Sequence, residues 1–215
     1  FGAIETLEIF LRARFAYFHA HKYGALGYLD SSNYISRHNH RKLKDNINKE
    51  LNHNCKLLFV KHHNEKYKGE FPVWVIIELF SFGMLSYFYK DLNSPDQKEL
   101  SHFLWDSIPT KVSSWLQCCT NLRNICAHSG RLYNQVFTAT PAGMSESMPD
   151  KNKRKLWGAI FALKSLYPNE KQWNEEVATP IINLINEYHD VINLSYIGFP
   201  KDTWKTELFC LGLTT

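Results

Sequence analysis

The sequence predicts an all-α fold, and three observations lead to this prediction. Apolar residues recur at helical spacing from the start of the chain, as in the series Ile4, Leu7, Leu11, Phe15 and Phe18. Sustained period-two alternation and Asn-Gly hairpin turns, which are typical of strands, do not occur in the sequence. Glycine, proline and small polar residues separate the periodic stretches, where they end helices. We therefore expect a helical bundle with a short irregular C-terminal tail.

Seven stretches carry the helical pattern: residues 2–21, 34–62, 73–90, 96–105, 109–128, 151–168 and 170–195. Gly24 and Gly27 follow the first stretch and end it. Pro72 and Pro109 suit the first turn of the third and fifth stretches, because proline lacks the N–H that a first turn leaves unpaired. The Ser129-Gly130 pair supplies the stop signal of the fifth stretch.

The remaining segments are expected to be irregular. Residues 61–70 are polar and predict a loop that overlaps the end of the second helical stretch. Residues 138–150 are small and polar and predict another loop. Pro180 marks a kink or boundary within the last stretch. The tail, residues 198–215, contains Trp204 and is expected to pack back on the bundle.

Composition is that of a globular protein and narrows the functional classes only slightly. Of 215 residues, 44% are hydrophobic and 21% charged, which excludes a disordered, collagen-like or coiled-coil chain. The net charge of +4, from 25 basic and 21 acidic residues, permits a nucleic-acid partner without requiring one. The whole chain, residues 1–215, is predicted to be one domain. It begins inside a helical pattern without a Met, so we expect residues to be missing upstream.

Cysteine usage and hydropathy favour a cytoplasmic protein. Five cysteines without repeating spacing and without a CxxC pair predict neither a disulfide framework nor a structural zinc site. The apolar run over residues 73–89 is shorter than a membrane span and contains Glu78. It is expected to be a buried helix of the core, so no membrane partner is predicted.

The most informative segment is NLRNICAHSGRLYN, residues 121–134, at the end of the fifth helix. It contains Arg123, Asn124 and His128. Arg123 falls on the apolar stripe of the helix, and an arginine there needs a partner or faces an interface or cleft. Asn124 and His128 are four residues apart and share a face, so the amide is placed to orient the imidazole. On a straight helix the side chains of Arg123 and His128 point in different directions. They could converge if the helix ends near Gly130, or if a second subunit completes the site.

Spacing alone does not identify a site, since Arg14 and His19 have the same Arg-x4-His pattern. Simpler interpretations remain open. Arg123 is a candidate for a structural ion pair with Glu8 or Glu78, and His128 for a cap whose charge suits a helix C-terminus. Arg131, Tyr133 and Asn134 either support a site or fix the turn after the helix. Cys126 lies on the apolar stripe and is expected in the core.

At this motif the sequence resembles the Abi-like proteins of the AbiD and AbiF type, which act in bacterial abortive infection and belong to the HEPN superfamily. The resemblance extends over most of the chain, to IETLEIFLRARFAYFHAHKYGALGYLD near the start, FPVWVIIELFSFGMLSYFY in the middle and IGFPKDTW near the end. Members of the family usually carry an additional N-terminal region, which we expect to be missing from this sequence. At Gln135 the family more often has a basic residue.

The resemblance implies a HEPN helical domain with an R-N-x3-H active site and metal-independent endoribonuclease activity in a dimer. On that basis Arg123 binds the scissile phosphate, His128 is the general acid or base, and Asn124 orients His128 or the phosphate. Supporting roles fall to Arg131, Tyr133 and Asn134. No cofactor and no metal site is expected. The expected products carry a 2′,3′-cyclic phosphate (or 3′-phosphate) and a 5′-hydroxyl.

Two function classes therefore remain. The first is an endoribonuclease toxin in phage defence, a cytoplasmic homodimer that acts on RNA and is neutralised by an antitoxin or a regulatory RNA. The second is a non-catalytic helical module of the same fold that binds RNA or protein. A nucleotidyl transferase is disfavoured because the sequence has no phosphate-cradling loop motif. Basic runs at 37–44 and 151–155 either contact RNA phosphates or are solvated helix faces. The paired histidines, such as His38 and His40, are weak metal candidates and are otherwise expected on the surface.

Overall fold

The prediction of an all-α fold is confirmed in the computed structural model, which describes residues 1–209. Over these residues the backbone forms helices and turns, with an isolated antiparallel bridge between Tyr34 and Leu92 but no strand. The α-helices are α1 (Gly2–Tyr23), α2 (His40–His53), α3 (Leu58–Lys66), α4 (Val73–Ile76), α5 (Phe82–Asp91), α6 (Ser94–Trp105), α7 (Pro109–Ala127), α8 (Asp150–Lys153), α9 (Leu156–Leu166), α10 (Glu170–Trp173), α11 (Thr179–Glu187) and α12 (Trp204–Leu208). Cys210 and the end of the predicted tail lie outside the described residues.

The chain forms two compact units. One comprises residues 8–104, and the other comprises residues 1–7 with the described residues from 105 onward. The single domain over residues 1–215 stays a prediction. In the first of these units, Leu11 and Phe15 of α1 are buried as their spacing predicts, and Phe15 stacks on Tyr89 with ring centroids 5.9 Å apart.

The prediction of one continuous helix over residues 73–90 is wrong. The α4 helix passes into a 3-10 turn at Ile77–Leu79, and Phe80 is extended before α5 begins. The Ser81 side chain caps α5 by accepting a hydrogen bond from the Met84 N–H at 3.3 Å. Arg12 donates to the Phe80 carbonyl at 3.0 Å, which satisfies the backbone at the break. The predicted burial of the run is only partly confirmed, because Trp74 and Tyr87 are exposed at 52% and 64%. No helix of the described residues is long and apolar enough to span a bilayer.

The second helical stretch is also divided. At its start Tyr34 is extended and buried, and the Ile35 N–H donates to the Asp91 carbonyl at 2.9 Å. The α2 helix starts only after Asn39, whose side chain caps the Lys42 N–H at 3.0 Å. The α3 helix, Leu58–Lys66, occupies much of the segment predicted as a loop at 61–70, because buried Val60 anchors an otherwise polar helix.

In the other unit, α7 packs against α9. The helix predicted over residues 151–168 is broken between α8 and α9, because Arg154 bonds to the preceding loop. The Phe137 N–H donates to the Arg154 carbonyl at 2.7 Å, and the Arg154 Nε–H donates to the Phe137 carbonyl at 3.0 Å. The last predicted helix ends at Glu187, and a π-helical segment at Asn174–Ala178 precedes Pro180.

The described part of the tail packs back on this unit, as expected. Phe199 lies between Trp157 and Trp204, with ring centroids 4.6 and 5.5 Å away. The Trp173 indole N–H donates to the Leu208 carbonyl at 2.8 Å. Gly198 is required at the start of the tail, because its φ is 81° and a Cβ there would lie 2.7 Å from the Asn152 carbonyl oxygen.

His19 on α1 is fully buried, contrary to the expectation that the paired histidines lie on the surface. Aromatic rings surround it, with centroids at 5.0 Å for Tyr23 and 5.3 Å for Phe88. Within the described residues neither of its ring nitrogens has a hydrogen-bond partner. Burial lowers the pKa of His19 to about 4, against an opposing attraction from Asp96.

This pKa predicts a pH dependence of stability. Because the folded pKa lies below the ordinary value of 6.5, the unfolded chain binds the proton more readily, and stability falls as pH drops below 6.5. We expect His19 to account for a loss of about 2 kcal/mol between pH 7 and pH 5. His19→Leu should remove this part of the slope in chemical denaturation, whereas His53→Leu at an exposed position should not. An unchanged slope in His19→Leu would contradict the assignment.

Candidate active site

The α7 helix carries the predicted site residues and is anchored by its apolar stripe. Pro109 occupies its first turn as predicted. The stripe is buried at the positions expected from the sequence, namely Val112, Trp115, Leu116, Cys119 and Leu122. Cys126, expected in the core, is only half-buried, and so is Arg123 at the edge of the stripe.

The helix ends in a tight hydrogen-bonded closure around His128. The Ser129 N–H donates to the Cys126 carbonyl at 3.1 Å, and the Gly130 N–H donates to the Ile125 carbonyl at 2.7 Å, the pattern of a Schellman motif. Ser129 takes the left-handed conformation, with φ of 51°. The backbone of His128 is thereby fixed at the helix exit, while its side chain is exposed.

Asn124 and His128 share the exposed side of the helix end, as their spacing predicts. The His128 N–H donates to the Asn124 carbonyl at 3.2 Å. No hydrogen bond joins the Asn124 amide to the imidazole in the described part of the chain, so orientation of His128 by Asn124 stays a prediction. Arg123 lies on the more covered side, so convergence of the three side chains also stays a prediction.

The residues after the closure form a turn that is fastened to the C-terminal region. The Tyr133 hydroxyl accepts a hydrogen bond from the Asn193 N–H at 3.0 Å, and its ring meets Tyr196 edge-on at 6.2 Å. Asn134 has φ of 56°, a conformation that asparagine tolerates better than most residues. Tyr133 and Asn134 therefore help to fix the turn, and Arg131 is exposed. A supporting role of these three residues in a site stays a prediction.

Three positioning residues were not predicted from the sequence. Asn121 donates from its amide to the Thr138 hydroxyl at 2.7 Å, and Arg154 and Asn193 hold the loop through the contacts described above. Helical spacing could have indicated Asn121, because it lies seven residues before His128 and therefore on the same face of the helix. No pattern in the sequence indicates Asn193 or Arg154, since their contacts with the loop arise only from tertiary folding.

Most of the basic run at 151–155 has structural contacts. The Lys155 ammonium donates to the Ser195 carbonyl at 3.1 Å, and the Lys153 Nζ atom lies 3.4 Å from the Asp150 Oδ1 atom. Arg154 donates to the Phe137 carbonyl of the loop, as described above. Lys151 is exposed. The cationic groups at the helix end itself are Arg123 and Arg131, which lie where the negative pole of the α7 dipole favours positive charge. In the part of the chain that the structure describes, no cluster of three His, Cys, Asp or Glu residues is arranged to hold a metal ion.

Comparison with known proteins identifies the family. The Abi-like protein family matches residues 1–134, which include the entire α7 helix and the turn after it. The chain belongs to this family, and placement in the HEPN superfamily is consistent with it. No match was found among curated proteins or among solved structures.

The closure around His128 makes a prediction of its own. A Cβ at Gly130 would lie 2.8 Å from the Ile125 Cγ2 atom and 3.0 Å from its carbonyl oxygen, so Gly130→Ala should overpack the closure and destabilise the protein by about 1–3 kcal/mol. Ser129→Gly should have the opposite effect, about 0.5–1 kcal/mol of stabilisation, because glycine adopts the left-handed conformation without strain. Thermal unfolding of both variants checks this, and a Gly130→Ala protein as stable as the wild type would refute the geometry.

Proposed function

We propose that this member of the Abi-like family is a metal-independent endoribonuclease of the HEPN type, acting as a toxin in abortive infection. The observation that carries the proposal is the position of His128. Its imidazole is solvent-accessible, while its backbone is fixed by the helix closure. Asn124 lies on the same face of α7, and Arg123 directly precedes Asn124 in the sequence. A general acid or base needs this combination of access and fixed position.

The chemistry follows from the residue types. The ribose 2′-oxygen attacks phosphorus, a bond to the 2′-oxygen forms, and the bond to the 5′-oxygen breaks. His128 takes the proton from the 2′-hydroxyl or gives one to the leaving 5′-oxygen, and an imidazole suits this task near neutral pH. The Arg123 guanidinium stabilises the charge that develops on the phosphate oxygens. The products then carry a 2′,3′-cyclic phosphate and a 5′-hydroxyl.

The family supports a role in abortive infection and phage defence. RNA in the cytoplasm is the proposed substrate, and a toxin of this kind needs control by an antitoxin or a regulatory RNA. One observation favours the alternative, a non-catalytic module that binds RNA or protein. Most of the basic run beside the site is held by contacts within the fold, which leaves few cations for RNA phosphates.

Two substitutions separate these functions. His128→Ala should lower the RNA cleavage rate by about 10²–10⁴ with little change in RNA affinity, because it removes proton transfer. Arg123→Ala should abolish cleavage and also weaken RNA binding, because it removes a phosphate ligand. Both variants should keep the melting temperature within a few degrees of the wild type. The measurements are single-turnover cleavage, RNA binding and thermal unfolding on the same preparations.

Arg14→Ala is the matched control, because Arg14 and His19 repeat the Arg-x4-His spacing. His19 is fully buried and Arg14 lies over the Phe10 ring at 5.4 Å, so this pair should not contribute to cleavage. A fully active His128→Ala protein beside a poorly folded Arg123→Ala protein would favour a structural role for Arg123 and exclude proton transfer by His128.

A homodimer with α7 at or beside the interface is part of the proposal. Arg123 lies on a more covered side of α7 than the exposed His128, and a two-fold interface would place Arg123 of one chain in the same cleft as the partner's His128. Light scattering should give the mass of a dimer. When Arg123→Ala and His128→Ala subunits are mixed, a site shared between subunits should recover about one quarter of wild-type activity, since half the dimers are mixed and one of their two sites is intact. A monomer at micromolar concentration would contradict this arrangement.

A further inference from the structure

The unit of residues 8–104 contains a cavity of about 410 Å³ between the start of α2 and α5. Its volume lies in the range of sites that bind small molecules. None of the residues that line it belongs to the segment around His128. Any function of this cavity is therefore separate from the proposed cleavage.

The floor of the cavity is rigid and its single acidic group is already paired. The His38 ring stacks on Tyr34 with centroids 4.1 Å apart, and its Nδ1–H donates to the Asp91 carboxylate at 2.8 Å. Only 5% of the His38 side chain is exposed. The Tyr34 hydroxyl in turn donates to the Tyr28 carbonyl at 3.1 Å. Because His38 is held on both of its sides, the floor is preorganised for a ligand.

The rim of the cavity carries three exposed cations, Arg37, Lys42 and Lys90. None of them forms an ion pair with a carboxylate of the described residues. The first turn of α2 also lies at this rim and contains no acidic residue, although the positive pole of a helix dipole favours one there. The cavity is therefore positive and suits an anion with several negative charges, of which phosphate is the common biological form.

One wall of the cavity suits a flat aromatic group. The Tyr87 ring is 64% exposed, and the Lys42 Nζ lies 5.9 Å from its centroid, so a ring that stacks on Tyr87 would lie close to the cationic rim. The amides of Asn39 and Asn46 line the same space and can donate and accept hydrogen bonds at the edge of a base. An anionic group next to a planar, hydrogen-bonding group is the chemistry of a nucleotide.

We propose that this cavity binds a nucleotide, with its phosphate on Arg37 and Lys42 and its base on Tyr87. The nucleotide comes either from the free pool or from one position of a single-stranded RNA, because both present the same phosphate and base. Base stacking on an aromatic side chain accepts any base, and amides that both donate and accept suit different base edges, so little base selectivity is expected. Binding here goes beyond the proposed cleavage and does not depend on it.

The test is calorimetric titration of the full chain with AMP. AMP should bind, and the double variant Arg37→Ala/Lys42→Ala should weaken binding by about tenfold or more, because two charged hydrogen bonds to phosphate are lost. The matched control is Arg41→Ala/Lys44→Ala, which removes the same charge from α2 at positions outside the cavity, and should change affinity by less than about twofold. Absence of AMP binding at millimolar concentration, or equal weakening by the two double variants, would overturn the proposal.

Three further measurements make the assignment specific. Tyr87→Ala should weaken AMP binding but leave ribose 5-phosphate binding unchanged, because only AMP has a base to stack; equal effects on the two probes would overturn the role of the base. Titrations repeated in His128→Ala should give the same AMP affinity, so that failure of the nuclease and failure of this site are distinguishable. In that variant, displacement of AMP by hexa-adenylate identifies RNA as the source, and no displacement identifies the free nucleotide; both support the site.

Discussion

The closure of α7 between Ile125 and Gly130 is the constraint on which the candidate site depends. It ends the helix at His128, exposes the imidazole and redirects the chain into the turn that contains Tyr133. The hydrogen bonds of the closure also satisfy carbonyl groups that a helix end otherwise leaves unpaired. Beyond it, contacts from Asn193, Thr138 and Arg154 hold the following loop, so the closure is supported from the C-terminal region.

The apolar stripe of α7 gives this closure a fixed base. Buried residues from Val112 to Leu122 anchor the helix in a unit where it packs against α9. Anchoring through a long buried face sets the rotation of the helix about its axis, and that rotation determines which residues at its end face solvent. The candidate site residues thus obtain their positions from residues that have no part in the proposed chemistry. The cavity between α2 and α5 is held differently, by the ring stack and the hydrogen bond around His38.

Apolar periodicity and helix end signals predicted the helices whose tertiary contacts favour the same boundaries as the local sequence. The α1 and α7 helices have continuous apolar periodicity and clear end signals, and both were predicted within about two residues. The helix end was predicted as well, since Ser129 and Gly130 mark the closure in the sequence. The family resemblance supplied the chemical roles, which periodicity does not contain.

The failures share a physical origin in contacts between residues distant in sequence. The run at 73–90 looks like one helix because it is apolar throughout, yet Arg12 and Ser81 satisfy the backbone at a break. Residues 61–70 were predicted to be a loop because they are polar. The α3 helix that includes part of them is anchored by one buried residue, Val60, and one residue does not produce a periodic signal in the sequence. Burial of His19 and pairing of His38 with Asp91 were missed for a related reason, because composition places histidines on the surface by default.

The central claim is that the end of α7 cleaves RNA by transfer of a proton through His128 to or from a ribose or leaving oxygen. The most direct measurement is the chemistry of the RNA ends after incubation with the purified protein in EDTA, compared with the His128→Ala variant. The account predicts new 5′-hydroxyl ends and 2′,3′-cyclic phosphates with the wild-type protein, and neither with the variant. Fragments with 5′-phosphates, cleavage that requires an added metal, or equal cleavage by both proteins would contradict it.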